Sequence, residues 1–234
     1  MTWRDYWNSD TPIYVNDRHK IVHYTRIANE VLALLPEPGL NVLDYGCGEA
    51  LASDRVAPAT GHLYLCDGAP LVCRRLSERF GGIGNVTVLT PEETDRIDPG
   101  SIDLIIVNSL IQYLKKPELE AAMAVWHGKL ARNGRLLIAD VIPGDVGPLT
   151  DALALVRLAA TNGFFFAALG GLVRTALSDY SRIRAELGLS HYSEAEMLAL
   201  LADAGFTVVR HHPNLGHNQA RMAFMARLKQ EPAG

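Results

Sequence analysis

Apolar positions change their spacing several times along the chain, and each change marks an element. Ile21, Tyr24, Ile27, Val31 and Leu35 recur at helical intervals, which predicts a helix over Asp17–Leu35. The breaker Pro36-Glu37-Pro38-Gly39 ends it, and Asn41–Tyr45 follows as a short apolar strand. From there β-rich runs at Leu63–Cys66, Val86–Leu89, Ile102–Val107 and Arg135–Val141 alternate with helical patterns at Glu49–Ala57, Pro70–Phe80 and Pro117–Ala131. Pro117 suits the first turn of the last of these helices, and Gly134 suits its stop. Alternation at this pitch predicts a parallel sheet covered on both faces. Asp103-Leu104-Ile105-Ile106-Val107 reads as a strand buried on both sides.

After Val141 the rhythm breaks, and helical segments without a clear strand extend to about Tyr192. Ser193 and Glu196 then form a capping box that opens a helix ending near Gly205. Thr207–His211 and Met222–Leu228 read as strands joined by the polar loop Pro213–Ala220. That loop is too short for a parallel crossover, so the final pair is expected to be antiparallel. The expected fold class is therefore α/β, with seven strands in a mostly parallel sheet. The expected division is an N-terminal helical segment over 1–40, a sheet domain over 41–144 and 191–234, and a helical cap insertion over 145–190.

Composition narrows the class of protein. Hydrophobic residues make 48% and charged residues 21% of the 234, ordinary values that exclude a disordered chain. A net charge of −4 gives no footprint for a polyanion, so nucleic acid is not an expected partner. Cys47, Cys66 and Cys73 are too few for a disulfide framework or a zinc pattern. Ala152–Val173 is long and apolar, but Arg157, Thr161, Asn162 and three glycines interrupt it, so no membrane span is expected. The first ten residues carry charge and aromatic rings where a signal peptide has an apolar core, which points to a cytoplasmic protein.

The sharpest chemical signal is Val42-Leu43-Asp44-Tyr45-Gly46-Cys47-Gly48-Glu49, a strand running into Gly-x-Gly and then a predicted helix. Glycines at such a turn let the backbone approach a ligand closely, and a tight turn needing positive φ would ask for the same residues. Leu51 stands where a dinucleotide fingerprint wants a third small residue. Asp44 puts a carboxylate at the turn, which repels a pyrophosphate and suits an ammonium or sulfonium. Asp67, at the end of the next strand, could accept hydrogen bonds from ribose hydroxyls or cap the helix opening near Pro70.

Asp44-Tyr45-Gly46-Cys47-Gly48-Glu49-Ala50, Asp67, the buried fourth strand followed by Asn108-Ser109-Leu110, and the terminal antiparallel pair together resemble a class I S-adenosylmethionine-dependent methyltransferase. The resemblance covers roughly residues 15–141 and 193–228. It implies a Rossmann-like methyltransferase fold with S-adenosyl-L-methionine as cofactor. It further implies that Asp44, Gly46, Gly48, Asp67 and Gly68 contact that cofactor. The stretch Thr90–Glu93 would lie beside the adenine, with Glu93 among the contacts, and Asn108 and Ser109 below the methionine part. No Asp-Asn pair follows Asp140 as in metal-dependent catechol methyltransferases, so no catalytic metal is expected. Asn108-Ser109-Leu110-Ile111-Gln112-Tyr113-Leu114 replaces the Asn/Asp-Pro-Pro-Tyr element of amino-group and DNA-base methylases.

In an open α/β sheet ligands sit beyond the carboxyl ends of the strands. Asp140, Asn214, His217 and Asn218 are therefore expected on the rim. His19 and His23 share one helix face, as a solvated surface or as a pair facing the site, and lack a third metal ligand. Tyr24 and Tyr113 could stack on the adenine or meet the sulfonium, and Phe164–Phe166 could be core or the wall of an apolar pocket. The reading is methyl transfer to a small apolar or aromatic metabolite, with an oxygen acceptor first. His217 or His23 would take a proton, and Tyr113, Asp140, Phe165, Asn214 and Asn218 would meet the substrate. A homodimer stays open. So do two other readings: a catalytically inactive cofactor-binding regulator on the same fold, and a nicotinamide-dependent oxidoreductase.

Overall fold

The computed structural model describes residues 2–8, 14–176 and 188–230. Seven strands form one sheet in the order β3-β2-β1-β4-β5-β7-β6. They are β1 Leu40–Tyr45, β2 Thr60–Cys66, β3 Val86–Leu89, β4 Ile102–Asn108, β5 Leu130–Val141, β6 Phe206–His211 and β7 Met222–Leu228. The first five pair in parallel, and β7 runs antiparallel to both β5 and β6. It follows that β6 points the same way as β5, and the β6–β7 loop opens at the carboxyl edge. The chain reverses its winding between β1 and β4, which is where an open α/β sheet leaves a crevice.

The side-chain alternation of each strand divides the core in two. Leu43 of β1 with Ile105 and Val107 of β4 face α5 (Lys116–Lys129) and α8 (Glu194–Asp203), where Trp126, Met123, Met197 and Leu201 are buried. Val42, Leu104 and Ile106 face the other side, against α2 (Asp17–Ala33), α3 (Ser53–Val56) and α4 (Pro70–Phe80). The apolar stripe of α2 puts Ala28 and Val31 into that second layer. A short helix, α1 (Trp3–Trp7), precedes it.

Two helices fill the described part of the stretch expected as an insertion, α6 (Pro148–Asn162) and α7 (Phe165–Ala176). Leu158, Ala159, Phe164 and Ala168 make a small core of their own against Val15 and Val22. Gly171 permits that closeness, because a Cβ there would stand 2.1 Å from the Val15 side chain. Residues 177–187 of the expected insertion lie outside the described residues. No described helix is long and apolar enough to cross a membrane.

Two local expectations change. The helix expected over Glu49–Ala57 shrinks to Ser53–Val56 and a tight turn, because Gly48 and Ala50 both take positive φ, +58° and +43°. No helix N-terminus therefore stands directly behind the glycine turn. Gly134 does not stop a helix, which already ends at Lys129, but lies inside β5. A side chain there would meet the Ile102 carbonyl oxygen at 2.8 Å, so close strand approach requires the glycine.

Candidate active site

The glycine turn after β1 is fixed by its neighbours. Gly46 has φ +82°, and a Cβ on it would lie 2.9 Å from Leu110. The N–H groups of Gly46 and Cys47 both donate to the Cys66 carbonyl at the end of β2, at 2.8 and 3.1 Å. Gly48 N donates to Asp67 Oδ2 at 3.0 Å, and Ala69 N to Asp67 Oδ1 at 2.8 Å. Asp67 thus does part of the capping work, while Asn8 of the N-terminal segment accepts from Leu71 N at 2.8 Å. The Tyr24 hydroxyl accepts from Glu49 N at 3.1 Å, and Lys20 pairs with Glu49 at 2.5 Å, so α2 clamps the turn.

Burial disfavours the charged form of both carboxylates here. Burial, and then the Asp67 charge, push Asp44 up to about 7. Burial also raises Asp67 above the usual carboxylate range, against the hydrogen bonds from Ala69 and Gly48. Asn108 Oδ1 and Gln112 Oε1 are buried with no hydrogen-bond partner. A ligand that carries positive charge and brings hydrogen-bond donors satisfies this acceptor-rich set.

Beyond β4 and β5 a polar network assembles. Ser109 and Asp140 both lie in the left-handed region, φ +56° and +59°, an unusual backbone for non-glycine residues. Ser109 Oγ donates to Asp140 Oδ2 at 2.7 Å, and Asp140 N donates to Asn214 Oδ1 at 2.9 Å. Arg221 Nη2 binds both oxygens of Asp151, at 2.9 and 2.8 Å, and Nη1 stands 3.8 Å from Asp140. Asn218 donates to the same Asp151 at 2.8 Å. Burial raises Asp140, with Arg221 and Ser109 pulling the other way.

Opposite this network stand Tyr14, His19, His23 and His217. His19 is only 6% exposed, its ring stacked on Phe164 at 5.2 Å and edge-on to His217 at 6.4 Å. Burial and the neighbouring histidines hold His23 at about 3, and burial and His217 hold His19 at about 4. Burial likewise lowers His217, with Arg26 and Arg221 acting with it and Asp151 against it. These imidazoles are neutral at neutral pH. Gly216 N donates to Glu30 at 2.6 Å, which fixes the β6–β7 loop, and with it His217, beside α2.

A single cavity of about 990 Å³ joins the glycine turn, the polar network and the histidine wall. Asp44, Gly46, Gly48, Asp67, Gly68, Tyr24, Asn108, Ser109, Tyr113, Asp140, His23 and His217 all line it. Four expected residues do not. Glu93 accepts from Thr90 N at 3.0 Å and pairs with Arg96, so its carboxylate caps a turn while Pro91 faces the cavity. Phe165 points away beside Phe166, itself 86% exposed, because Phe164 is the ring that enters the α6–α7 core. Asn214 and Asn218 are buried behind the wall, holding Asp140 and Asp151. His19 and His23 are not a solvated face, since the α6–α7 core and the β6–β7 loop cover that side of α2. Among the described residues no cluster of three or more histidine, cysteine or acidic groups could hold a metal.

Sequence reasoning missed Trp3, Trp7, Tyr14, Gln112, Asp151 and Arg221, all of which line the cavity. Trp3 and Trp7, four apart, did carry a visible helical signal. Arg221 carried none.

A family model described as a methyltransferase domain matches residues 43–136. That segment of the chain is thus similar to a methyltransferase domain. Nocamycin O-methyltransferase of Saccharothrix syringae is 28% identical over 174 residues, 67% of this chain and 61% of the relative. The chain thus spans less than two thirds of that relative's length. The structure of magnesium protoporphyrin IX methyltransferase from Synechocystis PCC 6803 with bound S-adenosylmethionine superposes with TM-score 0.58 at 17% identity. That match covers 97% of this chain and 89% of the other. The methyltransferase solved with the Haloferax volcanii Trm112 activator gives TM-score 0.62 at 14% identity, over 98% and 99%. The acceptor-rich turn between Asp44 and Asp67 fits the ammonium, sulfonium and ribose of S-adenosylmethionine, the molecule bound in that Synechocystis structure.

Proposed function

We propose that this chain transfers a methyl group from S-adenosylmethionine to an oxygen of a small apolar or aromatic metabolite. The observation that carries this reading is the continuity of one cavity from the Asp44–Asp67 end to the histidine wall. Its volume lies at the upper end of small-molecule sites, about 300–1,000 Å³, and suits two ligands side by side. The cofactor supplies a methyl carbon made electrophilic by the sulfonium. Asp44 and the acceptor atoms of Asn108 and Gln112 would hold the amino-acid part, and Asp67 the ribose.

This chain's larger contribution is placement. Orientation can supply about 7–11 kcal/mol of a barrier, whereas a positioned base adds roughly 10²–10⁴-fold. The acceptor end has the shape for placement: Tyr14, Tyr113 and the neutral imidazoles give flat, weakly polar walls. His217 is the proton acceptor in this reading, since Asp151 opposes the burial and the Arg26 and Arg221 charges that lower it. His23, held near 3, stays a neutral imidazole that orients a hydroxyl and takes up no further proton. The match to an enzyme named as an O-methyltransferase covers 67% of this chain, against 39% for relatives named as phosphoethanolamine N-methyltransferases at 30–32% identity, and this wider match supports oxygen. Asp151 together with Gly188–Ser190 gives the segment 145–190 its share of the cavity wall, the capping role proposed for it.

The test is incubation with methyl-labelled cofactor and fractionated extract, with labelled products identified by mass. A labelled ether or ester of an apolar compound supports the reading, with turnover in His217→Ala lowered and cofactor affinity kept. Label only on nitrogen overturns the oxygen acceptor. Cofactor binding with no labelled product in any fraction would favour a regulator.

A further inference from the structure

The N-terminal helix α1 ends up across the mouth of the cofactor cleft. Trp3 and Trp7 are one helical turn apart, share a face, and both line the cavity, while Tyr6 turns inward and is buried. The Trp3 ring meets Tyr113 edge-on at 4.7 Å and the Trp7 ring meets it at 5.6 Å. Tyr113 follows β4, so this aromatic contact spans the cleft from outside. At its other side α1 reaches the ends of β2 and β3. Arg4 pairs with Glu92 at 3.1 Å, and its Nε would stand 3.2 Å from a Cβ on Gly68, the residue after Asp67.

Five residues of helix do not hold themselves together in water, so packing must hold α1. Its ties include the Arg4–Glu92 pair, with both side chains more than half exposed, the Asn8 bond to Leu71 N, the buried Tyr6 and the aromatic edges. Two indole faces are thereby placed beside the carboxylate assigned to the ribose, on a short helix that touches both sides of the cleft and so lies over its mouth.

We propose that α1 is a cofactor-binding element: Trp3 and Trp7 cover the purine nucleoside of S-adenosylmethionine, and α1 must lift for cofactor exchange. This rests on the reading that the Asp67 end takes the nucleoside. An aromatic side chain stacked on a base contributes enough that its removal costs about ten-fold or more in affinity. Tryptophan emission gives a readout independent of turnover. Of the three tryptophans, Trp126 is fully buried behind the sheet, away from the cavity, so the Trp126→Phe protein reports on α1 alone.

The experiment titrates the Trp126→Phe protein with S-adenosylhomocysteine, following emission and, by stopped flow, dissociation. Calorimetry then compares the wild type with Trp3→Ala, Trp7→Ala and the milder Trp3→Phe and Trp7→Phe, each checked by thermal melting. Support is an emission change on binding, with affinity lowered about ten-fold or more in the alanine variants. The loss should come from faster dissociation, with the phenylalanine variants between. Alanine variants that melt normally and match wild-type affinity and dissociation overturn the proposal while leaving the cofactor reading intact. So does binding with unchanged emission. A wild-type protein that binds neither S-adenosylmethionine nor S-adenosylhomocysteine overturns both.

Discussion

Replacing Asp44 with asparagine removes a charge that the empty site barely tolerates, and the consequence is a pH dependence of cofactor binding. Burial, followed by the charge on Asp67, moves Asp44 from 3.8 to about 7. At pH 7 the empty site therefore holds this carboxyl about half ionised, at pH 6 about one tenth, and at pH 5 about one hundredth. A ligand with an ammonium and a sulfonium binds the ionised form, so binding expels the proton. Apparent affinity should then fall about fiftyfold between pH 7 and pH 5, approaching a factor of ten per unit. The ligand's own ammonium stays charged across this window, which isolates the protein's contribution. The assay is calorimetry with S-adenosylhomocysteine at pH 5, 6 and 7, in two buffers of different ionisation enthalpy. Near pH 6 about one proton should be released per ligand bound. In Asp44→Asn the affinity at pH 7 should be lower and the slope flat. A wild-type affinity constant from pH 5 to 7 without proton release would refute the reasoning. An unchanged slope in Asp44→Asn would move the titration to Asp67.

Two further outcomes follow from the cavity's other end. His23 is held at about 3, below the ordinary 6.5, so its contribution to stability is present above 6.5 and is lost as pH falls toward 3. The melting temperature of His23→Leu should fall less than that of the wild type over this range, and parallel curves would show that His23 protonates freely. Asp151 and Arg221 form a largely buried, forked pair, so Asp151→Asn or Arg221→Met should each cost about 3–5 kcal/mol in denaturant unfolding. The double variant should recover part of that loss, and strict additivity would mean the pair does not couple α6 to the sheet.

What could be read ahead of the structure is what local chemistry dictates. Short apolar and β-rich runs located all seven strands, and the short β6–β7 loop implied their antiparallel ending, because both signals are written within a few residues. The carboxylates Asp44 and Asp67 were legible because strand ends in an α/β sheet converge on one edge. The misreadings arose where a distant partner overrode a local preference. Glu49 N goes to the Tyr24 hydroxyl on α2 instead of opening a helix, and Gly134 answers a carbonyl on β4 instead of ending α5. Phe164, Phe165 and Phe166 are chemically identical and differ only in which one α2 and Val15 receive. Arg221 has no local mark at all, since its meaning depends on Asp151, seventy residues away.

The two halves of the cavity differ in the same way. The segment matched by the family model, 43–136, contains Asp44, Gly46, Gly48, Asp67, Asn108, Ser109 and Tyr113. Asp140, Asp151, His217 and Arg221 lie after it, and Tyr14, His19 and His23 lie before it. The end proposed for the cofactor is thus built by strand ends and their turns, where each residue's task is set by the backbone beside it. The opposite end is assembled by α2, the start of α6 and the β6–β7 loop, which meet only after folding. Its residues can change together without disturbing the glycine turn, provided that the Asp140–Arg221–Asp151 ties still hold α6 to the sheet. Left-handed backbone at both Ser109 and Asp140 costs on the order of 1–3 kcal/mol each, and the Ser109, Asn214 and Arg221 contacts hold it in place. That strain lies at the seam between the two ends, where a methyl donor held by one would face an acceptor held by the other.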